Sequence, residues 1–284
     1  MIKKFSIPDY YGKCDYLADF INYRQDFPQY FYPDRIIDST YGAHPDILWT
    51  GGRKIDSDGP IRPMNTILDK IGNIELRHVC TNLFLTPEIL TDHRTNLFIK
   101  NYVRPQDKLI IANKDLKEYL KEHYPNIDYI YSTTMNITDL DKINKITKNH
   151  IYVLNYNYNN DNIYLKQLKY PEHIEVLCAE PCLPNCPNRV KHYEEISKAV
   201  LGFEEDKNFK CLSNSEYKLR HDLMKLSTAI TSERVDELSK LGIQYFKISG
   251  RILKLPAWLD LLVYYLVLPE YREQVYLQLI DTWW

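Results

Sequence analysis

The feature that most constrains the fold is a regular alternation of short β-rich runs with helix-like segments from Ile47 onward. Each β-rich run is followed by a segment with helical spacing of its apolar residues. Eight strands alternating with eight helices is the count of a closed barrel, so the sequence predicts an α/β fold, a (β/α)8 TIM-like barrel. A doubly wound sheet with an extra subdomain is the alternative. The predicted strands are residues 47–50, 74–80, 108–112, 128–132, 151–155, 174–178, 225–230 and 245–249.

The domain organisation predicted from the same pattern is a single domain over residues 1–284. Its parts are an N-terminal helical extension (1–44), the barrel (45–255) and a C-terminal segment with a long helix (256–284). At 284 residues the chain can bury one large core, and no linker rich in Gly, Ser or Pro divides it. The polar stretch 202–219 is predicted to be a loop insertion.

Charge and hydropathy exclude some classes of partner. A formal net charge of -2 argues against bulk DNA or RNA binding. The chain has no apolar run of membrane-spanning length and no apolar leader after Met1, which predicts a cytoplasmic protein without membrane contact. The apolar run 259–268, LDLLVYYLVL, is predicted to offer a surface for homo- or hetero-oligomer formation.

A cysteine loop follows the predicted strand 174–178. Cys178, Cys182 and Cys186 stand at four-residue intervals in a proline-rich segment without apolar periodicity. In a reducing compartment, clustered cysteines are more often metal ligands or catalytic groups than disulfides. The spacing therefore predicts that these three thiolates bind one metal centre.

The type of metal and the fourth ligand are open at this point. Three cysteines in one loop plus one from afar favour a [4Fe-4S] cluster, with zinc and no metal at all as alternatives. Cys211 is the predicted fourth ligand, Cys80 is the reserve, and His192 is a weaker substitute. The third hypothesis is a different chemistry, hydrolysis by Cys178 or Cys182 with His192 as base. It ranks lowest, because a catalytic cysteine does not need two further thiols beside it.

Other candidate site residues come just after predicted strands, where a barrel assembles its active site. Arg53 and Arg251 are predicted to bind an anion, and Glu180 is the carboxylate predicted to act in catalysis. The predicted substrate-binding residues at the same positions are Gly51, Gly52, Asn82 and Asn155. Each has a structural alternative: a tight turn for the glycines, ion pairs for the arginines and a solvated loop acid for Glu180.

One further run suggests a family. Residues 242–251, GIQYFKISGR, together with the upstream cysteine loop, resemble peptidase family U-32, which typically carries G-I-x-x-x-K-I-E-G-R there. The resemblance implies a (β/α)8 barrel with a four-cysteine [4Fe-4S] cluster. Several family members are implicated in oxygen-independent hydroxylation of RNA bases or ubiquinone precursors. The resemblance also implies that Lys247, Gly250 and Arg251 are site or structural residues, with Lys247 assigned to substrate binding.

The chain departs from the family pattern at the same places. Ser249 stands where the family has Glu, Val176-Leu177 replaces a His-Gly pair, and the cysteines are spaced more evenly. The leading hypothesis is an iron–sulfur redox or hydroxylation-type enzyme acting on a polar or anionic small molecule or nucleobase. The alternative is a non-catalytic binding or maturation subunit in which the metal is structural.

Overall fold

The fold is a closed barrel of eight parallel strands in the order β1 to β8, with β8 pairing back to β1. The computed structural model describes residues 1–51, 62–203, 219–251 and 253–283. Closure between the first and last strands confirms the predicted (β/α)8 barrel and excludes the open doubly wound sheet. The strands are β1 (Lys3–Pro8), β2 (Arg35–Gly42), β3 (Glu75–Cys80), β4 (Lys108–Ile111), β5 (Asp128–Tyr131), β6 (Tyr152–Val153), β7 (Ile174–Leu177) and β8 (Tyr245–Lys247).

Helices connect the strands and form the outer layer. Several begin with side-chain caps that their sequence explains: Asn113, Asp139 and Thr231 each accept hydrogen bonds from backbone N–H groups of the first turn. The helices are α1 (Cys14–Asp26), α2 (Met64–Ile71), α3 (Pro87–Leu90), α4 (His93–Tyr102), α5 (Lys114–His123), α6 (Leu140–Thr147), α7 (Asn162–Leu165), α8 (Arg189–Val200), α9 (Arg220–Leu223), α10 (Ser232–Lys240), α11 (Leu255–Leu266) and α12 (Arg272–Trp283).

The N-terminal residues belong to the barrel itself, so the predicted boundary between a 1–44 extension and a 45–255 barrel is wrong. Strands β1 and β2 are the first two barrel strands, and α1 connects them. The predicted helical C-terminal segment is present as α11 and α12.

Two of the predicted strands are turns. Residues 47–50 are apolar because they pack under the helical layer: Trp49 is fully buried and its indole N–H donates to the Ile89 carbonyl at 3.0 Å. Residues 225–230 form turns beside β7, where the Thr228 carbonyl accepts from the Asn159 side chain at 2.9 Å. Two strands near the N-terminus were missed and one was wrongly predicted at 47–50, so the strand before the cysteine loop is the seventh rather than the sixth.

The apolar run 259–268 is buried in the chain's own core, which overturns its prediction as an oligomer-forming surface. Leu259, Leu262 and Leu266 of α11 are all fully buried and belong to the core between the barrel and the helices. In the described part of the chain, no helix combines the length and the apolar character needed to cross a membrane.

The barrel interior is charged in its lower half. Arg77 on β3 forms ion pairs with Glu75, Asp38 and Glu175, and both Arg77 and Glu175 are almost completely buried. Strand pleating explains the placement, since alternate residues of each strand face the lumen. Toward the carboxyl ends of the strands the interior becomes apolar, and these side chains form an apolar collar of Val79, Ile110, Ile130, Val153 and Leu177.

Candidate functional site

A cavity opens at the carboxyl end of the barrel, directly above the apolar collar. It measures about 620 Å³ with its solvent-open part included, and this is the end where TIM-barrel enzymes assemble their active sites. Polar side chains from several strand ends surround an apolar base. The lining residues are Tyr41, Gly51, Val79, Thr81, Ile110, Ser132, Thr133, Thr134, Val153, Leu177, Glu180, Tyr193, Lys247, Ser249, Gly250 and Arg251.

Lys247, the last residue of β8, is the most deeply held cation of this cavity among the described residues. It is only 6% exposed, and its Nζ lies 3.8 Å from the Glu175 carboxylate and 3.9 Å from the centre of the Tyr41 ring. The Tyr41 hydroxyl donates to the Ile248 carbonyl at 2.8 Å, which fixes the ring under the ammonium. A carboxylate and an aromatic face both stabilise the charged form of a lysine.

The structure brings Gly51, Glu180 and Arg251, predicted from strand ends, together at the cavity with Lys247, predicted from the U-32 resemblance. The Glu180 side chain is nearly buried and accepts a hydrogen bond from the Cys182 backbone N–H at 3.2 Å. Gly51 has a structural reason to be glycine, because a Cβ there would lie 2.6 Å from the Asn82 Cα. The predicted residues Gly52 and Arg53 lie outside the described residues.

Asn82 and Asn155 are not cavity residues; both amides hold the loops together. The Asn82 amide donates to the Thr50 and Ser197 carbonyls at 2.9 and 3.0 Å and accepts from the Phe84 N–H at 2.7 Å. Asn155 donates to Asn136 Oδ1 at 3.0 Å and accepts at 2.8 Å from the Arg189 guanidinium. Neither residue lines the cavity, so their role in orienting a substrate stays a prediction without support from this geometry.

Arg189, in the first turn of α8, was missed by sequence reasoning. It is 4% exposed and donates to Asn155 Oδ1 at 2.8 Å and to Thr133 Oγ1 at 2.6 Å. Its guanidinium also lies 4.2 Å from the centre of the Tyr156 ring and donates to the Tyr193 hydroxyl at 3.2 Å. Arg189 thus positions two lining residues, Thr133 and Tyr193, from behind. An arginine that opens a helix carries no sequence signal for such a role.

The cysteines of the loop do not converge. Cys178 continues the outward-facing residues of β7 and is fully buried in the layer between barrel and helices, whereas Cys182 packs against the apolar collar and its neighbours on the lumen side. Burial raises the pKa of the Cys178 thiol, which disfavours the thiolate that binds metals.

Cys186 is partly exposed, and Cys80 is buried on the outward face of β3, where burial likewise raises the pKa of its thiol. The described residues contain no group of three or more His, Cys, Asp or Glu placed to hold a metal ion. The predicted fourth ligand, Cys211, lies outside the described residues. The thiols of the described residues therefore do not fit a cluster that includes Cys178.

Among solved structures, the fold is similar to that of the U32 peptidase Mk0906. The TM-score is 0.56 at 13% sequence identity, over 88% of this chain and 94% of that chain. No protein-family model matches the sequence, and the comparison with curated proteins finds no match. At this identity the likeness establishes a shared barrel fold, which is the level at which the U-32 resemblance drawn from residues 242–251 is confirmed.

Proposed function

We propose that this protein binds a small polar molecule with an anionic group in the cavity at the carboxyl end of the barrel. The observation that carries the proposal is Lys247, a buried ammonium in the wall of an open cavity. Burying a charged lysine is expensive unless something stabilises it, and here a carboxylate and an aromatic ring do so. A protein that keeps such a charge in a cavity wall can use it to bind an anion.

The contacts beneath Lys247 support this role. Glu175 forms a hydrogen-bonded ion pair with Arg77 through Oε1, while Oε2 faces Lys247 at 3.8 Å. Among the described residues, Glu175 Oε2 has no hydrogen-bond partner. Glu175 therefore stabilises the charge of Lys247 without a hydrogen bond to the ammonium. Arg77 shares the same carboxylate through Oε1.

Glu180 is the candidate acid or base of the cavity, since it is the carboxylate among the described lining residues. We keep redox or hydroxylation chemistry on a small molecule or nucleobase as a proposal. It rests on the U-32 resemblance and the loop spacing. Peptide hydrolysis has less support, because the buried Cys178 thiol is poorly suited to be a nucleophile.

Ligand-dependent stabilisation tests the role of Lys247. A panel of small carboxylates, phosphates, nucleosides and nucleobases is screened by the shift that each causes in the thermal unfolding midpoint. Lys247→Met is expected to weaken binding of any anionic hit by about tenfold to a hundredfold, because it removes a charged hydrogen-bond donor. Lys142→Met, at a lysine with a 72% exposed side chain, is the matched control and should bind like the wild type. Hits that bind Lys247→Met and wild type equally would contradict the proposal.

Metal content tests the cluster prediction. Protein purified without oxygen is analysed for iron and acid-labile sulfide, alongside Cys178→Ala and Cys182→Ala variants. Because Cys178 faces the helical layer, we expect Cys178→Ala to leave any bound iron unchanged, whereas Cys182→Ala, at the cavity side, should reduce it. Loss of iron from a folded Cys178→Ala protein would show that the loop rearranges around a cluster. Absence of iron from the wild type would remove the redox proposal and leave the binding proposal standing.

A further inference from the structure

The Ser249 hydroxyl is the feature of the cavity that the fold itself does not explain. Ser249 is 4% exposed, lines the cavity, and its Oγ has no hydrogen-bond partner among the described residues. A buried hydroxyl without a hydrogen-bond partner is unfavourable, and the place of this one in the cavity wall lets a ligand reach it. A ligand in the cavity would supply the missing partner.

Other lining hydroxyls are already used by the fold. Thr81 Oγ1 donates to the Gly51 carbonyl at 2.6 Å, and Ser132 Oγ donates to Thr134 Oγ1 at 3.0 Å. Thr133 Oγ1 donates to the Leu154 carbonyl at 3.2 Å. These three hydroxyl groups therefore already donate to other groups of the protein. Ser249 differs from them, because its proton is directed to no acceptor in the described chain.

The surroundings of Ser249 define the class of ligand. Lys247 lies two residues earlier, on the same face of the extended chain, so the ammonium and the hydroxyl both belong to the cavity wall. Below them the base of the cavity is apolar, formed by the collar residues Val79, Ile110, Val153 and Leu177. The cavity thus joins two hydrogen-bond donors to an apolar base. Such a wall fits a molecule with an anionic end and a short apolar body.

The balance of charge favours a monoanion. Among the described lining residues the charged ones are Lys247, Arg251 and Glu180, which sum to a formal charge of +1. Phosphate sites usually add arginine pairs or a helix N-terminus, and the described lining residues include one arginine, Arg251. A carboxylate carries one charge and two acceptor oxygens, which matches one ammonium and one hydroxyl.

We infer that Ser249 and Lys247 together bind the carboxylate of a small monocarboxylic acid whose apolar body contacts the collar. This inference rests on the proposed function and narrows it from an anionic molecule to a monocarboxylate. Ser249 becomes the residue that sets specificity for the anionic group, and Lys247 supplies the charge.

The test uses sodium acetate, butyrate and hexanoate as probes, with butyramide and inorganic phosphate for comparison, on the full chain at constant ionic strength. Affinity is measured by calorimetry and by the unfolding midpoint, which rises with ligand occupancy. We expect affinity to increase from acetate to butyrate and to be absent for butyramide. Ser249→Ala should weaken butyrate binding about threefold to tenfold, the worth of one hydrogen bond. Ser249→Thr, which keeps the hydroxyl, should restore most of it.

Ser39→Ala is the matched control, because Ser39 is also a fully buried serine without a hydrogen-bond partner among the described residues, yet it does not line the cavity. It should bind butyrate like the wild type. Equal butyrate affinity in Ser249→Ala and wild type would overturn the inference, as would Lys247-dependent binding of phosphate in preference to butyrate. If butyrate fails but another anion binds in a Lys247-dependent way, the inference fails and the proposed function stands. If no ligand depends on Lys247, both fail.

Discussion

Replacing Glu175 with alanine is expected to lower the free energy of unfolding by about 3–5 kcal/mol, the usual effect of removing one partner of a buried ion pair. Glu175 is completely buried inside the barrel, where it pairs with Arg77 and faces Lys247. Its loss would remove one carboxylate from beside Lys247 and would leave Arg77 with Glu75 and Asp38 as its partners among the described residues. Urea denaturation at pH 7 with fluorescence detection measures the effect.

Glu118→Ala provides the matched control for this prediction. Glu118 also pairs with a cation, Lys121, but both side chains are about half exposed. Exposed pairs contribute roughly 0–1 kcal/mol, so the control should unfold close to the wild type. A Glu175→Ala protein that unfolds at the same urea concentration as Glu118→Ala would show that the lumen charges are not held as an ion-pair network.

Acidification from pH 7 to pH 5 is expected to destabilise the protein through its buried histidines. Burial lowers the pKa of His78 to about 4 from an ordinary 6.5. The unfolded chain therefore binds a proton in the window between these values that the folded chain does not. Stability from this group is complete above pH 6.5 and is lost as the pH falls toward 4. For His78 alone the loss is about 2 kcal/mol by pH 5. Burial also lowers the pKa of His44 to about 4, with the same sign.

His78→Gln tests whether His78 causes this loss. The quantity compared is the change of the free energy of unfolding with pH, rather than its value at one pH. The free energy of unfolding is measured by urea denaturation at several pH values from 7 to 5. The variant should lose about 2 kcal/mol less than the wild type over this range, whatever its stability at pH 7. His93→Gln changes an exposed imidazole and should keep the wild-type slope. Equal slopes in His78→Gln and wild type would contradict the assignment.

A buried carboxylate with a raised pKa changes the free energy of unfolding in the opposite direction when the pH falls. Burial raises the pKa of Asp38 despite the neighbouring Arg77, so its protonation in acid favours the folded state. The comparison of His78→Gln with the wild type over the same pH range removes this contribution, because both proteins contain Asp38.

The barrel could be predicted from the sequence because most of its strands are short β-rich runs between clear helix signals. The six strands β3, β4, β5, β6, β7 and β8 all lie within predicted runs. Strand β1 was missed because Lys3–Pro8 contains three polar or charged residues, Lys3, Lys4 and Ser6. In the folded barrel, Lys3 and Lys4 pair with acidic side chains. A lumen lined by ion pairs hides the alternation on which a strand prediction depends.

The site residues that follow strand ends could be predicted from the sequence. Arg189, which does not line the cavity but hydrogen-bonds to lining residues, could not. Glu180, Lys247 and Arg251 could be found by position or by motif, and all three line the cavity. Asn82 and Asn155 satisfied the same positional rule, but their amides are consumed by loop hydrogen bonds that only the folded backbone reveals. The spacing of the cysteines indicated one centre, yet strand pleating sends Cys178 to the opposite side of the sheet from the cavity.

The pairing of β1 with β8 joins residues that are far apart in the chain, with Phe5 opposite Phe246. The Trp258 indole adds a hydrogen bond to the Pro8 carbonyl at 3.0 Å on the same side. During synthesis, β1 emerges from the ribosome long before β8 and Trp258 have been made. The edge of β1 that pairs with β8 therefore stays open until nearly the whole chain has been made. Barrel closure is thus a late event of biogenesis, and a nascent chain stalled before Tyr245 presents an open strand edge that chaperones or other stalled chains can bind.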